Sequence, residues 1–307
     1  MREVTINSND AMQRLDKFLT KYMRNIPQNM LYKGLRKNCV RVNGKHVKDG
    51  KYMLHDGDIL SLYFKDEFFE NKKQFINGST DIDIIYEDNN ILLINKPRGL
   101  VVHSDDKGSG DTLLKRMQSY LYETGEYNPE AENSFSPALA NRLDQNTSGI
   151  IIGVKNAPAL RIINEKIRAR EIRKLYMCVV EGYIKKDGTL SAFLTRGEKK
   201  VSVTDTETEN SKKIITAYNV ISAQKDKSLL EIELGTGRTH QIRAQMAHIG
   251  HPLWGDTKYG SVHKPPMMLT SYKLIFNFTS DAGILNYLRN REFHITADFS
   301  RTFSQEK

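Results

Sequence analysis

The 307-residue chain reads as α+β: a central mixed, largely antiparallel sheet flanked by helices and loops, with a small separate domain ahead of it. Three observations predict this. Strand-like and helix-like stretches alternate too irregularly for a doubly wound fold. At roughly 100–200 residues per domain the length suggests two, and 39% hydrophobic with 9% aromatic content supplies a sizeable core. The charge is also uneven. Residues 1–65 carry 13 Lys+Arg against 6 Asp+Glu, whereas the other 242 carry 33 against 31. A basic head on a nearly neutral body points to an anionic partner, most simply nucleic acid.

Other classes are excluded early. The longest apolar runs, such as Gly149–Val154, fall far short of the ~20 residues that span a bilayer. The amino terminus shows no apolar signal stretch, and Cys39 and Cys178 form no metal or redox spacing. A cytoplasmic protein without membrane association is expected.

The head opens with Leu15, Phe18, Leu19 and Tyr22 at i, i+3, i+4 and i+7, one apolar helical face. Pro27-Gln28-Asn29 breaks that helix, and Met30, Leu31 and Leu35 begin a second. Cys39 to Val47 reads as strand, Asn43-Gly44 turn and strand, a strong hairpin signal. Asp56-Gly57-Asp58 turns the chain into a further strand at Ile59–Tyr63. Lys33, Arg36, Lys37, Arg41 and Lys45 surround the joint and make a basic surface. Residues 66–80 lose periodicity and read as a linker, so the expected division is 1–65, 66–80 and 81–307.

Beyond the linker, Ile82 with Ile84–Tyr86 and then Ile91–Ile94 read as strands split by Glu87-Asp88-Asn89-Asn90. Residues 121–137 are polar and read as a surface loop. Asn156-Ala157-Pro158 begins a helix, a capping residue ahead of an early proline. Leu160, Ile163 and Ile167 are its buried face. Strands are expected at Leu175–Val180, Lys213–Val220, Leu229–Leu234 and Leu274–Phe278.

Three polar segments stand against this apolar scaffold. Ala140-Asn141-Arg142-Leu143-Asp144-Gln145-Asn146-Thr147-Ser148-Gly149 leads into the strand Ile150–Val154. Its bland reading is a loop satisfying its own backbone, although catalytic residues concentrate on such loops. Gly235 to Arg243 enters a helix with Thr239 as expected cap, Ile242, Met246 and Ile249 as buried face, and Gly250 as terminator. Arg243 adjoins that face. The glycines lack both a Gly-Lys-Ser/Thr ending and a full G-x-G-x-x-G, so no nucleotide cofactor is expected. His240, His248 and His251 lack the spacing of a zinc helix, so no metal is expected. Ser148 lacks the elbow of a serine hydrolase. The third segment, Arg173-Lys174-Leu175-Tyr176, opens a strand whose tyrosine is most simply half-buried structure.

The head, over about residues 12–63, resembles the S4-type RNA-binding module through Leu35 to Gly44. The main domain resembles the RluA-type pseudouridine synthases. Arg142-Leu143-Asp144 with Thr147-Ser148-Gly149, Lys174-x-Tyr176, and Gly237-Arg238-Thr239-His240-Gln241-Ile242-Arg243 occur in that family's order. Asn95 to His103, Gly250 to Asp256 and Tyr259-Gly260 continue the match, which covers about residues 12–280. Within the family the chain looks most like the large-subunit ribosomal RNA enzymes of the RluC and RluD kind. Asn141 and Gln245 depart from histidines common in relatives, departures that bear on the choice of RNA site.

The resemblance implies an isomerase that detaches uracil from its ribose, turns it and rejoins it through carbon 5. Nothing is oxidised and no group is imported, so no cofactor is expected. By resemblance Asp144 is the carboxylate beside ribose carbon 1′, acting as nucleophile, charge stabiliser or base for the sugar proton. Arg243 resembles the arginine that pairs with it. Tyr176 resembles the active-site tyrosine, its ring stacking on uracil. Arg142 resembles the arginine that helps extrude the nucleotide, a step needed because the reacting atoms are inaccessible inside a stacked helix. Ribosomal RNA is the expected partner and a monomer the expected state. The rivals are a silent RNA-binding or ribosome-assembly protein on this fold, a transfer-RNA synthase, and a nucleoside or glycoside hydrolase.

Overall fold

Two sheets organise the chain in a computed structural model that describes residues 1–69, 78–104, 110–198, 200–297 and 299. The first holds β1 (Arg2–Thr5), β2 (Val40–Val42), β3 (Lys45–His46) and β4 (Ile59–Leu62) in the order β1-β4-β2-β3, all antiparallel. The β2–β3 turn is the one expected: Asn43 and Gly44 both take positive φ, 51° and 77°, the conformation whose twist matches a two-residue hairpin. Two helices cover this sheet, α1 (Leu15–Tyr22) and α2 (Gln28–Arg36). Helix α1 buries Leu15, Phe18 and Leu19 as its periodicity predicts. Helix α2 begins at Gln28, with Pro27 just outside it, and buries Leu31, Gly34 and Leu35 while Met30 faces solvent. Phe68 and Phe69, inside the stretch expected as linker, pack into this same core; residues 70–77 of that stretch lie outside the described residues.

The second sheet has eleven strands: β5 (Ile84–Glu87), β6 (Ile91–Lys96), β7 (Ala138–Leu139), β8 (Ser148–Val154), β9 (Ile172–Glu181), β10 (Gly188–Arg196), β11 (Val201–Thr204), β12 (Lys212–Ala223), β13 (Lys227–Leu234), β14 (Leu269–Phe276) and β15 (Glu292–His294). Its main path runs β11-β10-β12-β13-β9-β14-β8-β6-β5, with β15 on β14 and β7 on β8. Among the described strands only β14 and β8 pair in parallel; the other pairings of this sheet are antiparallel, so the expected mixed, largely antiparallel α+β class is found. Gly149 makes the parallel contact feasible. It sits at φ +122°, and a Cβ there would lie 2.2 Å from the Ser271 carbonyl oxygen, so no side chain fits.

Both faces of the sheet are covered, which is why its central strands read as unbroken apolar runs rather than as alternation. Leu92, Ile94 and Ile151 face α3 (Leu113–Glu123) and α5 (Gln241–His248), packing with Met117, Ile242 and Met246. Ile91, Leu93, Ile150 and Ile152 point the other way, onto Ala159 and Ile163 of α4 (Ala157–Arg168). The Asn156 side chain caps α4 by accepting from the Ala159 amide, a contact of about 1 kcal/mol.

The polar stretch after α3 seats the head. Asn133 Nδ2 and Ser134 Oγ donate to the buried Asp10 carboxylate at 2.7 and 2.5 Å. Asn9 bridges Glu132 and the amide of Ala157. Residues 121–137 therefore include the last turn of α3 and a seam between the two sheets, in place of a free surface loop. Among the described residues no helix is long and apolar enough to cross a membrane.

Candidate active site

Asp144 stands on the loop between β7 and β8, just ahead of the parallel contact between β8 and β14. Beneath that loop lies Lys96, fully buried at the end of β6. Its ammonium donates to the carbonyls of Pro97, Leu100 and Gln145 at 2.8, 2.7 and 3.0 Å. Burial pulls it down to about 8, against the opposing pull of the Asp144 charge. The loop is thus tied down one residue past the carboxylate.

Arg243, in the first turn of α5, reaches Asp144 from the opposite side of the chain. Its Nη1 donates to Asp144 Oδ2 at 3.1 Å. The remaining edge of the guanidinium is fixed by Asp256, with Nε to Oδ2 at 2.6 Å and Nη2 to Oδ1 at 2.9 Å. Side-chain exposure is 8% for Arg243 and 2% for Asp256, against 23% for Asp144. Asp256 follows Gly255, which sits at φ +79° and where a Cβ would lie 2.4 Å from the Pro266 carbonyl oxygen, so no side chain fits at that turn.

The loop before α5 differs from expectation. Thr239 does not cap; the N-cap position is His240, whose backbone is left-handed at φ 54°. The Gln241 side chain supplies the local closure instead, accepting from the Arg238 amide and the Thr236 hydroxyl. On α5, Ile242, Arg243 and Met246 are buried, whereas Ile249 is 36% exposed. Gly250 follows at φ +85°, as the terminator expected.

Tyr176 comes from β9, beside Ser271 in register on β14. It is 7% exposed, and burial pushes its hydroxyl up to about 12, with Ser271 opposing and Asp144 adding. A single cavity is lined by Arg142, Leu143, Asp144, Thr147, Tyr176, His240, Ile242, Arg243 and Leu269. The structure therefore brings Asp144, Tyr176, Arg243 and the exposed Arg142 together.

His240, His248 and His251 do not converge. His240 faces Asp144, His248 pairs with Asp205, and His251 bonds the Glu181 carbonyl. Lys33, Arg36, Lys37 and Lys45 are exposed on the head, and among the described residues none has an ion-pair partner; Arg41 is half-buried over the Tyr63 ring. Asn141 and Gln245 point inward. Asn141 Oδ1 accepts from the Ile152 amide, and Gln245, 1% exposed, accepts from Thr216. Both brace the scaffold. Sequence reasoning gave no role to Lys96, Asp256 or Tyr259 and weighed His240 only as a metal ligand. All four lie in the matched motifs, but their contacts arise from tertiary approach.

Residues 90–248 match the RNA pseudouridylate synthase family, and residues 13–60 match the S4 domain. An RNA pseudouridine synthase of Mycoplasma capricolum is 30% identical over 95% of this chain and 96% of its own. The ribosomal large subunit pseudouridine synthase D of Escherichia coli is 31% identical, over 85% of this chain and 77% of that one. Among solved structures, human RNA Pseudouridylate Synthase Domain Containing 4 has a TM-score of 0.57 at 19% identity, covering 71% of this chain and 89% of that chain. The family match and these relatives define an enzyme that works on RNA. The chain belongs to the RNA pseudouridine synthase family, isomerases that convert uridine in RNA to pseudouridine, and it carries an S4 RNA-binding domain at its head.

Proposed function

We propose that this chain isomerises uridines of large-subunit ribosomal RNA, with Asp144 as the carboxylate that meets carbon 1′ of the ribose. The observation that carries the reading is the convergence of Asp144, Tyr176 and Arg243 on one cavity from loop, strand and helix. The relatives named for the large ribosomal subunit support the substrate class.

Position supports each role. Arg243, itself clamped by Asp256, fixes one oxygen of Asp144 and supplies a positive charge beside the reacting carboxylate. Tyr176 remains a phenol at neutral pH, since its hydroxyl sits near 12; its ring is the platform for the flipped uracil. Arg142, exposed at the rim, fills the gap the nucleotide leaves in the helix. Extrusion costs on the order of a few kcal/mol, which phosphate contacts from Lys33, Arg36, Lys37, Arg41 and Lys45 offset. The head, with its core closed by Phe68 and Phe69, serves as the RNA grip, and residues 81–307 as the catalytic part.

Asp144→Asn is expected to keep the melting temperature and RNA affinity while abolishing release of tritium from RNA labelled at uracil carbon 5. Release at the wild-type rate would end the assignment. Mapping pseudouridines lost from ribosomal and transfer RNA on gene deletion tests the substrate. Replacing Lys33, Lys37 and Lys45 with Gln should flatten the plot of log affinity against log salt by about 2 to 3 units. An unchanged slope removes the head's phosphate contacts.

A further inference from the structure

The geometry points to His240 as a positioning residue of the reaction. Held by Tyr259 as the tautomer with its proton on Nε2, it joins Arg243 on Oδ2 of Asp144 and leaves Oδ1 as the oxygen presented to the ribose. This inference rests on the assignment of Asp144 above.

The first observation is the backbone. His240 is left-handed at φ 54°, a conformation that costs a non-glycine residue about 1–2 kcal/mol. Glycine or asparagine would sit there with less strain. A histidine at this point of the chain puts its ring in the cavity wall, with 17% of the side chain exposed.

The second is the direction of the hydrogen bonds. The Tyr259 hydroxyl accepts from the Val201 amide at 3.2 Å and lies 2.8 Å from His240 Nδ1. Burial raises the Tyr259 hydroxyl and lowers the His240 imidazole, although Asp144 opposes the latter. Tyr259 thus stays a phenol; in the proposed arrangement its hydroxyl donates a hydrogen bond to Nδ1, and the neutral ring carries its own proton on Nε2. The ring stands edge-on to Tyr259, 89° between planes, and Arg243 lies over the same tyrosine at 5.1 Å. One tyrosine thus braces both groups that face the carboxylate.

The third is where they meet it. His240 Nε2 is 3.5 Å from Asp144 Oδ2, the oxygen already bonded by Arg243 Nη1. Among the described residues no donor lies on Oδ1. A gap of 3.5 Å is beyond a hydrogen bond in the free enzyme, and such contacts tighten when substrate binds. Two donors on one oxygen, from two directions, stop the carboxylate rotating about its Cβ–Cγ bond. The other oxygen keeps its lone pairs for carbon 1′.

The test is single-turnover tritium release from large-subunit ribosomal RNA labelled at uracil carbon 5, with RNA affinity and melting temperature measured alongside. His240→Leu should slow the step at saturating RNA by about 10–100-fold, the worth of one hydrogen bond to a charged group, with affinity held within about twofold. His240→Gln, whose amide can place an N–H near Nε2, should recover about tenfold of that loss. Tyr259→Phe should fall between, because the ring stays but its tautomer is no longer imposed. If His240→Leu releases tritium at the wild-type rate while Asp144→Asn is dead, the inference fails and the Asp144 assignment survives. If Asp144→Asn is active, the assignment beneath it fails. Equal losses in His240→Leu and His240→Gln reduce His240 to packing and overturn the inference. Should His240→Leu not fold, a folded Tyr259→Phe with wild-type rate overturns it as well.

Discussion

Lys166 on α4 and Glu171 just beyond it are as deeply buried as Arg243 and Asp256, yet every oxygen of Glu171 is taken. Its Oε2 accepts from Lys166 Nζ at 2.9 Å and the Thr279 amide at 3.1 Å; its Oε1 accepts from the hydroxyls of Thr279 and Ser280. The Lys166 ammonium also reaches Ser280 and lies over the Phe278 ring. The Arg243 cluster is built to a similar standard on one side only. Asp256 is fully engaged, whereas Asp144 has one bonded oxygen and one that opens on the cavity. A closed network specifies where two elements pack. An open one, in a concave site, is how a buried charge is kept ready for a ligand. The difference lies in one unfilled acceptor, since both clusters pair a cation with a carboxylate.

The strongest way to break that comparison is to open the closed side of the active cluster. Asp256→Asn leaves Arg243 with one carboxylate in place of two, in a site where removing one partner of a buried pair costs about 3–5 kcal/mol. Both the melting temperature and the turnover should fall. Turnover per folded molecule is expected to drop by about a hundredfold, because the arginine no longer has a fixed direction toward Asp144. Tritium release and thermal melts on the same preparation separate the two losses. A variant that melts early yet turns over normally would make Asp256 a structural residue of the Glu171 kind.

How much of this could be read in advance depends on the range of the interaction. The hairpin at Asn43-Gly44 and the cap at Asn156 are local chemistry, complete within a few residues, and both form as the sequence predicts. The faces of α1 and α4 follow from spacing. Helix α3 was overlooked because its last turn lies in the polar stretch that seats the head, although Thr112 caps it by accepting from the Lys115 amide. Thr239 reads as a cap by residue type, but the N-cap position falls to His240 and no side chain caps the helix. Asp144, Tyr176 and Arg243 were legible through motifs, not through physics, since 99 residues separate the two that touch. Asp256 is hidden for the same reason without a motif role to flag it: its partner is 13 residues earlier, across a turn in which Gly255 has no room for a side chain. The parallel β8–β14 contact, which sets where the Asp144 loop ends, has no local signature at all.

The smaller effect comes from the closed cluster, and it is one of pH. The Lys166 hydrogen bond, helped by Thr279 and Ser280 against the cost of burial, holds the Glu171 carboxyl down to about 2, from an ordinary 4.5. The unfolded chain takes up that proton first as the solution is acidified. Stability from this group is therefore fully present above pH 4.5 and drains away between 4.5 and about 2. Glu171→Gln has no proton to gain, so its melting temperature should start lower at neutral pH and change less over that acid interval. Turnover per folded molecule at pH 7 should match the wild type, because none of the atoms bonded to Glu171 lines the cavity. Parallel slopes for the two proteins between pH 4.5 and 2 would show that the network does not hold the carboxyl as its geometry implies. A fall in turnover per folded molecule would mean that the closed and open clusters communicate through β9, the strand that begins next to Glu171 and carries Tyr176.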